Sequence, residues 1–281
     1  MTLACVGFAL LLNGLSASGD DKKPIEPTPE QLQAAKDAFA KLGATYFADP
    51  DPGTTRTVHW FLMPKATSDA DLTKLRTLPD IPFSFGLSLY DTQVTDAGLK
   101  DLKDLKNLKT LYLGGTHVKD VGLKDLKALK NLTTLQLSDT RVTDAGMKEL
   151  KDLKNLTRID LRRTHVTDAG LKELKDLKNL GTLELNGTKV TDAGLKELKP
   201  LKNLSTLELI HTQVTDVGLK DLKDFKNLST LDLGFTKVTD AGLKELKDLK
   251  NLTALNLRDT KATDAGVTEL QAALPKCKIE R

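Results

Sequence analysis

NLTTLQLSDTRVTDAGMKELKDLK, Asn131 to Lys154, is one copy of a phrase that recurs along the chain without change of length. Asn107, Asn131, Asn155, Asn179, Asn203, Asn227 and Asn251 open successive copies 24 residues apart. Inside the phrase, Leu132, Leu135 and Leu137 form LxxLxL; Leu135 and Leu137 alternate at strand period and point to the same side. A turn of fixed length follows and closes on Thr-Asp-Ala-Gly, as at Thr167 to Gly170, after which Leu171, Leu174 and Leu177 recur at helical spacing. Thr or Asp is expected to cap that helix, the Asp also complementing its positive end, and the Gly leaves room for a neighbouring coil. One strand and one helix cannot bury their apolar faces alone, whereas stacked copies can, so the phrase predicts a repeat solenoid.

Working outward, Leu87 and Leu89 form the strand of the first regular copy, with Tyr90, Thr92, Val94 and Asp96 in its turn. A step of 27 residues back puts Trp60 and Leu62 in the strand slots and Leu72, Leu75 and Leu78 in the helix slots of a degenerate first repeat, lengthened around Pro79 to Pro82. Thr28-Pro29-Glu30-Gln31 reads as a capping box with proline at the first helical position, and Leu32, Ala35, Phe39 and Leu42 share a face that ends at Gly43. A helix over 29–42 is expected to close the open end of the solenoid. At the other end, LPKCKI (274–279) breaks the repeat and predicts a last strand with Cys277 and Ile279 turned inward.

The LxxLxL strand and the TDAGLKEL helix resemble the leucine-rich-repeat family, in its ribonuclease-inhibitor-like, helix-backed form, over roughly Trp60 to Ile279. Similar short, very regular repeats occur in bacterial exported proteins. The resemblance implies an α/β fold: a right-handed coil with a parallel concave sheet, convex helices and about eight to nine repeats. Thr116, Thr140, Thr164, Thr188, Thr212, Thr236 and Thr260 stand where the F-box subtype tends to carry Cys, which argues against a ubiquitin-ligase role. The expected organisation is a signal peptide (1–17), a flexible linker (18–27), a capping helix with its lead-in (28–58), the repeats (59–273) and a capping strand (274–281).

Composition agrees with a stacked rather than a globular core: aromatics are 4% and hydrophobic residues 39%. The 42 basic and 39 acidic residues nearly cancel and alternate along the same helices, as at Lys172, Glu173, Lys175 and Asp176, which disfavours nucleic acid as a partner. Cys5 and Cys277 are the only cysteines, and Cys5 falls in the uncharged apolar run Thr2 to Leu15, too short for a membrane span. That run reads as a signal segment without a basic residue before it, so export and a mature chain lacking both a disulfide framework and a membrane span are expected.

Chemistry-bearing columns have structural explanations. Asp96, Asp120, Asp144, Asp168, Asp192, Asp216, Asp240 and Asp264 come one per coil, whereas calcium needs about six to eight oxygens converging on one point. His59, His117, His165 and His211 make no pair in adjacent coils. The sequons at Asn131, Asn155, Asn203, Asn227 and Asn251 follow from repeat geometry. With no nucleophile elbow, phosphate loop or HExxH helix, the sequence points to no catalytic residue, metal or cofactor.

The outward positions of the concave sheet escape this explanation. Their central column runs Tyr112, Gln136, Asp160, Glu184, Glu208, Asp232, Asn256, and its four successive like charges cost stability unless Arg158 and Arg162 or a cationic partner offset them. Arg163, Ile210, His211, Phe235 and Arg258 lie beside it. The expected ligand-binding residues are therefore Tyr112, Arg158, Asp160, Arg162, Glu184, Glu208, Ile210, Asp232, Phe235 and Arg258. They describe a monomeric, non-catalytic module for a protein ligand with a basic patch. Two alternatives are a structural or adhesive envelope component and an F-box-like recognition subunit; the latter needs an N-terminal helix bundle, for which 18–58 has room for about one helix.

Overall fold

The computed structural model describes residues 26–50 and 57–281. The expected signal segment 1–17, with Cys5, and all but the last two residues of the linker 18–27 lie outside the described residues. Each copy of the phrase makes one coil. The strands are β1 (Thr45–Pro50), β2 (Thr57–Leu62), β3 (Phe85–Ser88), β4 (Leu108–Tyr112), β5 (Thr134–Gln136), β6 (Arg158–Asp160), β7 (Thr182–Glu184), β8 (Thr206–Glu208), β9 (Thr230–Asp232), β10 (Ala254–Asn256) and β11 (Lys278–Glu280). They form one open sheet in sequence order, parallel from β2 to β11, with a helical segment between successive parallel strands.

A single coil shows why the phrase folds this way. Leu135, Leu137, Val142, Met147, Leu150, Leu153 and Leu156 are wholly buried between strand and helix, each stacked on its counterparts in the coils above and below. Thr140 is also buried, and its hydroxyl donates to the Leu137 carbonyl at 2.6 Å, satisfying the tight turn after the strand. The convex segments are short: Asp168–Lys172 and Asp240–Leu243 are single helical turns, and several continue as 3-10 turns. Leu177 and its equivalents thus pack from the connection to the next strand rather than from a continuous helix.

The roles of the repeated Thr and Asp separate. Thr143 is the N-cap of its own helix, its Oγ1 accepting from Ala145 N at 3.2 Å. Asp120, expected to cap its own helix, serves the next coil. Its Oδ1 accepts from Thr143 N (2.7 Å) and Gly146 N (3.0 Å), and its Oδ2 accepts from Thr143 Oγ1 at 2.7 Å. A Cβ on Gly146 would stand 2.6 Å from that Oδ1, so the glycine is the space the carboxylate needs. The repeated Asn likewise ties coils together, with Asn155 Nδ2 donating to Lys130 O at 2.8 Å. In each sequon, then, the amide nitrogen is already committed to the preceding coil.

Two ends depart from the regular phrase. A helix over Pro29–Ala40, capped by the Thr28–Gln31 box, packs Phe39 on Phe61 with ring centroids 4.0 Å apart. Between it and the first parallel strand lies β1, antiparallel to β2, which nothing in the repeat spacing announces. The degenerate repeat is shifted by one residue from the expected strand register: Phe61 pairs with Leu87, so Phe61 and Met63 point into the core while Trp60 and Leu62 face outward. The step back is 26 residues in the strand, against 27 at the helix, where Gly98 meets Asp69 and Leu72. Because side chains alternate, this one-residue difference exchanges the two faces. At the far end β11 completes the sheet, with Cys277 buried, its thiol pushed up to about 11 by burial, and Ile279 packed on the core.

Candidate binding face

Parallel register gives the outward face its columns. Tyr112, Gln136, Asp160, Glu184, Glu208, Asp232 and Asn256 are direct partners on β4 to β10. Two residues earlier in each strand a second column runs Thr110, Thr134, Arg158, Thr182, Thr206, Thr230, Ala254. Where each strand leaves the sheet, backbone bonds from Asp139 N to Arg162 O, Gly187 N to Ile210 O and Phe235 N to Arg258 O align a third column holding Arg162, Ile210 and Arg258.

The first two acidic side chains are buried, contrary to their expected presentation as surface charges: Asp160 is 3% and Glu184 1% exposed. Arginines cover them. Arg162 donates from Nε to Asp160 Oδ1 at 2.9 Å and from Nη2 to Asp160 Oδ2 at 2.6 Å, and its Nε lies 3.0 Å from Glu184 Oε2. Arg158 reaches across one strand to pair with Glu184 Oε1. Burial, reinforced by the charge of Asp160, pushes the Glu184 carboxyl up to about 7, although both arginines pull the other way. Burial works against the Arg162 charge, but the hydrogen bond and charge of Asp160 outweigh it and raise its pKa.

Beyond this cluster the acids are half-buried. Glu208 accepts from Asn186 Nδ2 at 2.7 Å, and burial raises its pKa. Asp232 Oδ1 accepts from Gly234 N at 3.0 Å. Phe235 is exposed and packs against His211, the rings tilted by 30° with centroids 4.2 Å apart. Both residues have positive φ, 57° and 56°, at a turn position where another coil carries Gly187 with φ 71°. Exposed Arg258 lies 4.0 Å from Glu280. Tyr112 stands apart from this group: β4 and β8 are four strands apart, about 19 Å at ~4.8 Å per strand.

Tyr112 instead belongs to an aromatic strip absent from the sequence reading. Its ring lies 4.9 Å from that of Trp60, which is parallel to Phe47 at 5.7 Å and 2°. Gly86 floors the strip, since a Cβ there would come within 2.6 Å of the Trp60 ring. Tyr90, exposed, leans over Gly114 one column away. Counting back from Leu87 by 26 rather than 27 would have turned Trp60 outward; Phe47 depends on an antiparallel pairing outside the repeat.

Comparison with known proteins agrees with this architecture. The leucine-rich-repeat family profile matches residues 104–127, 128–151, 152–175 and 226–247. The structure is similar to that of internalin C2 from Listeria monocytogenes, at 26% identity and a TM-score of 0.59, covering 82% of this chain and 92% of that one. It is also similar to a leucine-rich-repeat protein of Leptospira interrogans, at 28% identity and a TM-score of 0.59, over 78% of this chain; the match spans about half, 52%, of that protein. The plant peptide hormone receptor RGFR1, solved in complex with RGF2, shares the fold alone, at 16% identity and a TM-score of 0.51 over 83% of this chain and 36% of the receptor. Curated protein sequences yield no match. Among the described residues no helix is long and apolar enough to cross a membrane. Repeat phrase, open sheet in sequence order, family profile over part of the chain and structural likeness agree: the chain folds as a leucine-rich-repeat solenoid, an architecture suited to protein interaction.

Proposed function

We propose that this chain is an exported, monomeric, non-catalytic interaction module that receives a protein ligand with a basic patch on its concave face. The observation that carries this reading is the contrast between the two kinds of column. Asp, Asn, Gly and Thr of the framework are spent on coil-to-coil and turn bonds, as with Asp120, Asn155 and Thr140. On the concave face the side chains change from coil to coil, and they include Trp, Tyr and Arg, the types that dominate interface energies. Tyr112, Ile210 and Phe235 supply apolar anchors, and the carboxylates from Asp160 to Asp232, with Arg158, Arg162 and Arg258 around them, set the polarity. Export is supported by the uncharged run Thr2 to Leu15.

Site-specific photo-crosslinking tests the face. A crosslinking amino acid at Thr206 on the concave sheet should give a discrete protein adduct, and the same group at Lys196 on a convex helix should not. Adducts from position 196 with none from 206 would place the ligand elsewhere.

A further inference from the structure

We infer that the concave face takes an extended polypeptide segment carrying an apolar or aromatic side chain and, about six to nine residues further along, a lysine or arginine. This rests on the reading of that face as the binding surface. The apolar contact is the strip of Phe47, Trp60 and Tyr112. Phe47 and Trp60 are cross-strand partners, and Tyr112 meets the Trp60 ring at 4.9 Å above the gap left by Gly86. Phe47 keeps 39% of its surface exposed, so the strip is not sealed by the chain itself. Trp and Tyr offer large, stiff contact area with few rotatable bonds to immobilise, which suits them to anchoring a flexible partner.

Charge complementarity decides the other contact. The arginines weight the ladder toward one end: Arg158 and Arg162 pair with Asp160 and Glu184, and their charges also act on Glu208, while on the next two strands Glu208 and Asp232 take hydrogen bonds from the neutral Asn186 amide and the Gly234 backbone. A cation arriving over Asp160 meets two guanidinium groups. One arriving over Glu208 and Asp232 meets half-buried carboxylates, where attraction is stronger than in bulk water. Ile210 and the His211–Phe235 pair border that position and offer apolar surface to the stem of a long basic side chain.

Geometry sets the spacing. Tyr112 lies on β4, Trp60 on β2 and Glu208 on β8, so the acidic contact is about 19 Å from the near ring and about 29 Å from the tryptophan at ~4.8 Å per strand. An extended chain advances ~3.3 Å per residue and covers those distances in about six to nine residues. The segment therefore runs across the strands, along the solenoid axis.

Panning a phage-displayed library of random twelve-residue peptides on the full-length chain tests the inference, with synthetic copies of enriched peptides titrated by calorimetry. Enriched sequences should share an aromatic or aliphatic residue and a basic one about six to nine positions apart. Affinity should fall at least about ten-fold in Trp60→Ala and again in the Glu208→Gln/Asp232→Asn double variant. Deleting the basic residue of the peptide should then bring little further loss against that double variant. Enrichment without this spacing, or no enrichment, overturns the inference. Loss of binding in Trp60→Ala but not in the carboxylate variant overturns it while the concave-face reading stands; binding unchanged in both variants removes both.

Discussion

Replacing Asp120 by alanine should be costly, and the cost should be coupled to Gly146 in the next coil. The carboxylate accepts three hydrogen bonds there, from Thr143 N, Thr143 Oγ1 and Gly146 N, at 2.7, 2.7 and 3.0 Å. Hydrogen bonds to charged groups contribute about 1.5–3 kcal/mol each, and water replaces part of that at a half-buried site, so Asp120→Ala should lose about 3 kcal/mol. Gly146→Ala inserts a methyl 2.6 Å from Asp120 Oδ1 and 2.9 Å from Leu123 Cδ1. Overpacking of this kind costs about 1–3 kcal/mol, from which roughly 1 kcal/mol of improved helix propensity is recovered. In the double variant the carboxylate that the methyl would strike is gone, and the methyl ends of Leu123 and Val142 must yield. Losses should then be sub-additive by about 1–2 kcal/mol, the sign expected for residues in direct contact. Urea denaturation of the four proteins, followed by circular dichroism with one fixed slope, measures this. Strict additivity would refute the claim that the glycine exists to admit the carboxylate.

The buried acid cluster makes stability depend on pH. Because the folded-state pKa of Glu184 is raised from 4.5 to about 7, its contribution is fully present below pH 4.5 and is lost as pH rises through 7. At 1.36 kcal/mol per pH unit that loss is at most about 3 kcal/mol, and Glu184→Gln should flatten the stability profile between pH 5 and 8; an unchanged slope would contradict the shift. Arg162→Met should cost about 3–5 kcal/mol by leaving Asp160 and Glu184 buried with one arginine fewer, and a loss below 1 kcal/mol in denaturant melts would show that the arginine does not offset them. Phe61→Ala, which removes a core ring stacked on Phe39, should cost about 3–5 kcal/mol and raise hydrogen exchange in the N-terminal helix, whereas Trp60→Ala on the outer face should cost much less. The reverse order would restore the register that puts Trp60 inside.

Sequence alone determined whatever is periodic. A 24-residue phrase with alternating strand leucines admits one stacking that buries every copy, so coil, strand order and inward leucines were all legible from Asn131 to Lys154. The central outward column from Tyr112 to Asn256 was legible for the same reason, since identical repeat lengths impose the register. Tertiary structure decided what crosses from coil to coil or breaks the period. Asp120 looked like the cap of its own helix because the coil that receives its carboxylate is 23 residues away in the chain. Burial of Asp160 and Glu184 depends on where two arginine side chains fold, which spacing cannot specify. The outward turn of Trp60 and its stacking on Phe47 follow from a one-residue change of register and an antiparallel strand outside the repeat. A period-two backbone turns that single residue into an exchange of core and surface, which is how the one tryptophan of the chain comes to lie on the outward face of the sheet.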